Sequence, residues 1–289
     1  MSPQGKRDAD RNSTTEDLIF SIVEVLKAKQ PRCWLVENVA NFAQQFVHLL
    51  KDFLDAIHMV CLDYAGKPMY DIRVQVLNPR IHAGLPQNRP RIYIIGLERR
   101  YLTSRRKFRW PNPMPMRSIR SVLDKVVFGS ASEVWAGKEN QVTPQENFIG
   151  ALDQIANDKL DANAVVGDLG GGWKKKYGKT SQHLTVGYSP CLTKTRCSQR
   201  QYFYFGHGQH HFLGGAEFLR LQGFDDKLKR PKEVTVEKFN GMIGNAWAVD
   251  VVERLCARIF VAVGLLEDSD VGENTRDGFD EDLKLPFEY

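Results

Sequence analysis

Leu18, Ile22, Val25 and Leu26, with Ile19 and Val23 widening the stripe, recur at the spacing of one helix face and predict a first helix. Ser13-Thr-Thr-Glu16 ahead of that stripe is a capping-box pattern and predicts where the helix starts. Pro31 predicts its end near Gln30, because the proline ring disfavours helical backbone in the residue before it. A short apolar run, Cys33 to Val36, then reads as a buried strand closing on Glu37-Asn38. Phe42, Phe46, Leu49, Leu50, Phe53, Leu54 and Ile57 mark a second helix, and residues 60–64, 72–77 and 92–97 read as further strands. Helices alternating with apolar strands predict an α/β sheet.

The pattern weakens after Gly96. Between residues 116 and 185 the periodicity is poor, and a Gly167-Asp-Leu-Gly-Gly-Gly-Trp173 run precedes Lys174-Lys-Lys-Tyr177. That stretch predicts a loop-rich second domain with little core, and its glycines lack the spacing of a phosphate loop. Order returns from Ser189. Residues 212–224 predict a helix that Gly223 ends, and Val251, Val252, Leu255, Ile259 and Val263 predict a long amphipathic helix near the C-terminus.

Two polar runs stand at the ends of apolar strands. Glu37-Asn38 closes the first strand, and Gln87, Arg89 and Arg91 lead into another within Gly84-Leu-Pro-Gln-Asn-Arg-Pro-Arg91. Charge at the mouth of a core strand is where an open α/β sheet places its chemistry, so a carboxylate facing two guanidinium groups is a candidate active-site wall. Charge elsewhere adds a partner. The 289 residues carry 40 Lys and Arg against 35 Asp and Glu, and residues 267–289 hold nine acidic and two basic side chains. The tail therefore carries −7 and the rest +12, a body suited to a polyanion and a tail expected to be disordered. Arg99, Arg100, Arg105, Arg106, Lys107 and Arg109 cluster around Tyr101, Phe108 and Trp110, a nucleic-acid contact or a solvated connector. The five cysteines are scattered with no CxxC spacing, which argues against a disulfide framework or a zinc site. His207, His210 and His211 lack an acidic or cysteine partner at ligand spacing, so they predict a polar loop and no metal. No apolar run is long enough to span a membrane, and no signal-peptide pattern opens the sequence.

Four runs carry a resemblance. Glu37-Asn38-Val39, Gly84-Leu-Pro-Gln87 with Arg89 and Arg91, Arg220-Leu-Gln-Gly-Phe224, and Ile243-Gly-Asn-Ala246 resemble, in order, four motifs of the cytosine-5 DNA methyltransferases. The resemblance implies a partial S-adenosylmethionine-dependent (Rossmann-like) α/β sheet plus a smaller, loop-rich target-recognition domain. The implied organisation is a partial catalytic domain over 1–114, target recognition over 115–210, a return to the catalytic domain with a cofactor-closing helix over 211–266, and the acidic tail from 267.

The same resemblance assigns roles. Cytosine carbon 5 is a poor nucleophile, and the family adds a cysteine thiolate to carbon 6 of a base flipped out of double-stranded DNA. Glu37 matches the glutamate that hydrogen-bonds the base edge, Arg91 the arginine at the cytosine carbonyl, and Arg89 its partner. Asn245, Ala246 and Trp247, with Leu18, match the wall that closes over S-adenosylmethionine, although Trp247 and Ala248 stand where the family commonly has Val-Pro. Gln87, Arg105, Arg106, Lys107, Lys174 and Lys175 are the expected DNA contacts. The family's Phe-x-Gly-x-Gly cofactor loop and Pro-Cys-Gln nucleophile loop do not occur in these 289 residues. Cys33 reads as a core residue, and Pro190-Cys191 lacks the glutamine. The expectation is therefore a truncated chain or one part of a split enzyme with a complementary subunit. Such a chain binds DNA without methylating it alone; a non-catalytic recognition subunit is the alternative. The implied compartment is the nucleus in a eukaryote or the cytoplasm in a bacterium.

Overall fold

The computed structural model of the chain describes residues 9–124, 142–170, 183–206, 210–272 and 278–287. It divides into two compact units, residues 1–78, 90–112 and 253–289, and residues 79–89 and 113–252.

The first unit begins with α1 (Ala9–Lys29), β1 (Cys33–Val39), α2 (Phe42–Gln45), α3 (Val47–Val60) and β2 (Tyr70–Leu77), and resumes with β3 (Arg91–Glu98) and the short β4 (Trp110–Pro111). Helix α1 starts at Ala9, ahead of the capping-box residues at Ser13, and ends where Gln30 takes a positive φ of 41° before Pro31. The single helix expected from Phe42 onwards is two, because Phe46 leaves helical geometry at φ −125°, ψ 39°. Residues 60–64 do not form the expected strand. Val60 closes α3, and the Asp63 carboxylate accepts the N–H groups of Ala65 and Lys67 at 2.8 Å each, a turn that leaves only an isolated Leu62–Pro68 bridge.

The sheet order is β1-β3-β2, and β3 runs antiparallel to both neighbours. Its inner position explains the run of buried residues from Ile92 to Glu98. Alternate residues Trp34, Ile72, Val74, Ile92 and Ile94 join Leu50, Phe53, Leu54 and Ile57 of α3 and Ile19, Val23 and Leu26 of α1 in one core. Burying four such aliphatic side chains contributes about 8 kcal/mol before chain entropy is counted.

The expected disorder of residues 267–289 is not what the described part shows. Strand β9 (Gly278–Phe279) pairs with β4, the Leu283 N–H bonds Val74 O at 2.7 Å, and Leu283, Leu285 and Phe287 pack against the core. The acidic composition concealed these three apolar residues at alternating positions. Lying along β2, they cover what would be an open sheet edge.

The second unit is better packed than its sequence predicts. It contains α4 (Pro79–His82), α5 (Val142–Asn157), β5 (Val165–Asp168), β6 (His183–Val186), α6 (Lys194–Ser198), β7 (Tyr202–Tyr204), β8 (His211–Phe212), α7 (Gly215–Leu221) and α8 (Val236–Gly244). An antiparallel sheet of order β6-β5-β7-β8 buries both faces. Val165, Phe203 and Phe212 meet Ala151 of α5 on one side, whereas Val166, Tyr202 and Tyr204 meet Phe218 and Ile243 on the other. Strands of two to four residues are too short to show a period, which is why the stretch read as loop. The helix expected over 212–224 is confined to α7, because His211 and Phe212 are drawn into β8; Gly223, at φ 80°, follows its end. Helix α9 (Val249–Ala262) is the expected long C-terminal helix and runs from the second unit's residues into the first's.

Candidate active site

Antiparallel pairing sets the geometry around Glu37. Residue Val39 lies opposite Arg91 and Glu37 opposite Tyr93, so Glu37 and Arg91 are diagonal neighbours on one face of β1 and β3. The Arg91 Nε donates to Glu37 Oε1 at 2.9 Å, and a second guanidinium nitrogen donates to Pro90 O at 2.8 Å. Glu37 is 15% exposed and Arg91 14%, so both are partly desolvated and still open enough to be reached. Tyr93, 1% exposed, lies opposite Glu37 on the same face. A carboxylate can accept several hydrogen bonds, and a guanidinium presents five N–H donors in a planar fork. Such a pair can hold a planar, polar heterocycle by its edge.

Arg89 and Gln87 do something else. Extended backbone alternates sides, so positions 87, 89 and 91 look equivalent in the sequence; burial separates them. Pro90 and Arg91 belong to the first unit, and residues 79–89 to the second. Arg89, 4% exposed, donates to the carbonyls of Leu192, of Gly244 at 3.4 Å and of Ala246 at 2.9 Å, and contacts Cys191 Sγ at 3.6 Å. The expectation of one carboxylate facing two guanidinium groups is thus corrected, since Arg89 is taken up by backbone carbonyls. Gln87 is fully buried, with Nε2 donating to Leu221 O at 2.7 Å and Gln222 Oε1 at 3.3 Å, so the expected DNA contact is a core hydrogen bond.

These bonds hold the turn at the end of α8. Thr235 caps that helix by accepting the Lys238 N–H, and a Cβ on Gly244 would fall 2.4 Å from Thr193 O, so only glycine allows the helix to pack so closely. The Gln222 amide donates to Ile243 O at 2.9 Å and Ala246 O at 3.3 Å. Asn245 is exposed, Ala246 is half-buried, and Trp247 is 40% exposed on this braced turn. An exposed amide beside an indole is chemically suited to one wall of an adenosyl pocket, and no Phe-x-Gly-x-Gly run occurs in the sequence to supply the family's cofactor loop. The Leu18 side chain and Lys174 and Lys175 lie outside the described residues.

Arg105 and Lys107 are exposed, and Arg106 pairs with Glu267 at 2.7 Å. His211, expected in a polar loop, is instead buried against Glu217 at 2.6 Å. Glu217 also accepts from Gly214 N at 2.7 Å and Asp124 N at 3.0 Å, a buried network the sequence spacing did not reveal. His207 lies outside the described residues. Among those residues, no group of three His, Cys, Asp or Glu is placed to hold a metal ion.

The thiols bear on the missing nucleophile. Burial pushes the pKa values of Cys33, Cys61, Cys197 and Cys256 above the ordinary thiol value, most strongly for Cys197, which opposes thiolate formation. Cys191 is half-buried, and the guanidinium beside it is already shared among three carbonyls.

A family model described as C-5 cytosine-specific DNA methylase matches residues 1–261. The chain belongs to this family. Type II methyltransferase M.Bsp6I of Bacillus sp. (strain RFL6) is 32% identical over 272 residues, covering 90% of this C-5 methylase chain and 75% of the relative. Type II methyltransferase M1.ScrFI of Lactococcus lactis subsp. cremoris is 28% identical over 137 residues, 46% of this chain and 33% of that protein. The chain's matches thus span from a third to three quarters of these two relatives' lengths. The solved Entamoeba histolytica methyltransferase EhMeth shares the fold at a TM-score of 0.52 and 15% identity, covering 86% of this chain and 70% of that one. The architecture is the α/β fold of S-adenosylmethionine-dependent methyltransferases, and S-adenosylmethionine is the methyl donor of the C-5 cytosine methylases. No described helix is long and apolar enough to cross a membrane.

Proposed function

We propose that this chain supplies the cytosine-holding part of a DNA cytosine-5 methyltransferase whose nucleophile and cofactor loop come from outside these 289 residues. The observation that carries the reading is the Glu37–Arg91 pair at 2.9 Å, at the end of β1 and the start of β3. Glu37 accepts a hydrogen bond from the cytosine edge and holds a proton at ring nitrogen 3 as charge develops there. Arg91 donates to the ring carbonyl and opposes the same charge. Arg89 is a positioning residue: it fixes the turn at Ala246 and touches no substrate. When bound, S-adenosylmethionine supplies the methyl group. Asn245 and Trp247 line one side of its pocket, and Arg105 and Lys107 contact duplex phosphate. Residues 115–210 carry target recognition.

Two features support a second component. No Pro-Cys-Gln run occurs in the sequence, and four of the five thiols have pKa values raised by burial. In addition β1, apolar from Cys33 to Val36, pairs with β3 alone among the described residues, which leaves it an edge able to accept a strand.

The test is co-expression with a polypeptide carrying both missing loops, read as methyl incorporation into duplex DNA and covalent trapping on 5-fluorocytosine. Activity well above either component alone, abolished by Glu37→Gln and reduced by Arg91→Met, is expected. Methyl transfer by the isolated chain would overturn the requirement for a second component. Duplex binding with no trapping under any pairing would leave a non-catalytic DNA-binding protein.

A further inference from the structure

The basic segment that follows β3 is already occupied by an anion, and that anion is the chain's own tail. Residues 99–109 hold six arginines and lysines and no carboxylate, so the segment carries +6. Within the first unit, Glu267 pairs with Arg106 at 2.7 Å and Asp280 with Arg109 at 3.5 Å. One residue of each pair, Arg106 and Asp280, lines a cleft of about 230 Å³ together with Asp71, Arg73, Thr103, Lys107 and Phe108. Arg73 is held by Asp282, but Arg106 and Lys107 with the Thr103 hydroxyl suit a phosphate group, and the Asp280 carboxylate now lines the cleft.

The tail has an anchored part and an exchangeable part. Leu283, Leu285 and Phe287 pack in the core, and Asp282 accepts from the Trp110 indole N–H at 2.8 Å and from Arg73 Nε at 2.6 Å. By contrast the Glu267 and Asp280 side chains are 66% and 67% exposed. Exposed ion pairs are weak and screened by salt, so a denser anion can displace them while the anchor stays in place. Such a tail lowers affinity for any polyanion without closing the site to one.

We propose that the cleft and flanking arginines form a phosphodiester-backbone site in which Glu267 and Asp280 act as built-in competitors, so that the tail sets the strength and salt dependence of duplex binding. The site lies on the basic segment, apart from the Glu37–Arg91 pair, and works whether or not methyl transfer occurs.

The experiment titrates the full chain against a fluorescent duplex of about 20 base pairs, by anisotropy, over a range of salt concentrations. Glu267→Gln/Asp280→Asn should tighten binding about tenfold at low salt and steepen the slope of log affinity against log salt by about 1.8, that is roughly 0.9 for each of two phosphates gained. Adding Arg106→Gln/Arg109→Gln should remove the gain. Asp153→Asn/Asp158→Asn, exposed carboxylates of the second unit, makes the same change in net charge and should give much less. Unaltered affinity and slope in the tail variant would overturn the proposal, as would an equal gain in the control or a gain that survives loss of Arg106 and Arg109. Circular dichroism and the urea midpoint, expected to match the parent, confirm that the substituted chains are folded. Because the readout is binding alone, failure of co-expressed methyl transfer leaves this result standing.

Discussion

Replacing Arg89 with methionine separates a positioning role from a catalytic one. The side chain is 4% exposed, and its guanidinium serves the carbonyls of Leu192, Gly244 and Ala246. Two of these bonds are short, and hydrogen bonds to a charged group contribute about 1.5–3 kcal/mol each, so roughly 3–6 kcal/mol is at stake. Methionine keeps the apolar stem packed and removes the cost of a buried charge, which offsets part of the loss. A destabilisation of about 3 kcal/mol results, some hundredfold in the folding equilibrium. Urea unfolding should show a lower midpoint, and hydrogen exchange should speed up in Val236–Gly244, the helix whose end Arg89 ties down. Arg91→Met removes only a partly exposed pair and should cost about 1 kcal/mol while weakening capture of the cytosine. The assignment fails if Arg89→Met leaves the urea midpoint and the exchange of that helix unchanged.

Gln87→Leu should cost about 1–2 kcal/mol, because Leu221 O loses its donor in a dry site, and should leave the salt slope of duplex binding as in the parent; a shallower slope would restore Gln87 as a phosphate contact. Burial, with Arg99 nearby, lowers the His58 pKa below its ordinary value of 6.5. The folded state therefore binds fewer protons than the unfolded one just below pH 6.5, and stability, unaffected above that pH, falls as pH drops from 6.5 through the folded-state pKa. His58→Gln should flatten that fall in urea midpoints measured from pH 7.5 to 5. Cys191→Ser should leave methyl transfer by the two-component mixture unchanged, and loss of 5-fluorocytosine trapping would instead make Cys191 the nucleophile.

The local signals were dependable where the physics is local. Pro31 follows the end of α1, Gly223 follows α7, and the apolar spacing of α3 and α9 marks Leu50, Phe53, Leu54, Ile57, Val251, Leu255 and Ile259, all buried. Glu37 and Arg91 were legible as a pair because each stands at the end of a strand, where side-chain alternation fixes the face. The order of four motifs likewise revealed the family, since a linear order needs no coordinates.

Pairing across the chain had no such signature. Nothing near residues 91–98 says that β3 lies between β1 and β2, because backbone hydrogen bonds do not depend on side-chain identity. Gln87, Arg89 and Arg91 share one period in the sequence, yet burial makes the first two core bonds and leaves the third at the candidate site. The acidic tail shows the same division. Its charge is a property of composition, whereas its place along β2 and over the basic segment depends on Leu283, Leu285 and Phe287 finding a core contributed by residues some two hundred positions away. Composition counts charges and periodicity sets faces; only the packed chain decides which of those charges remain open to a partner.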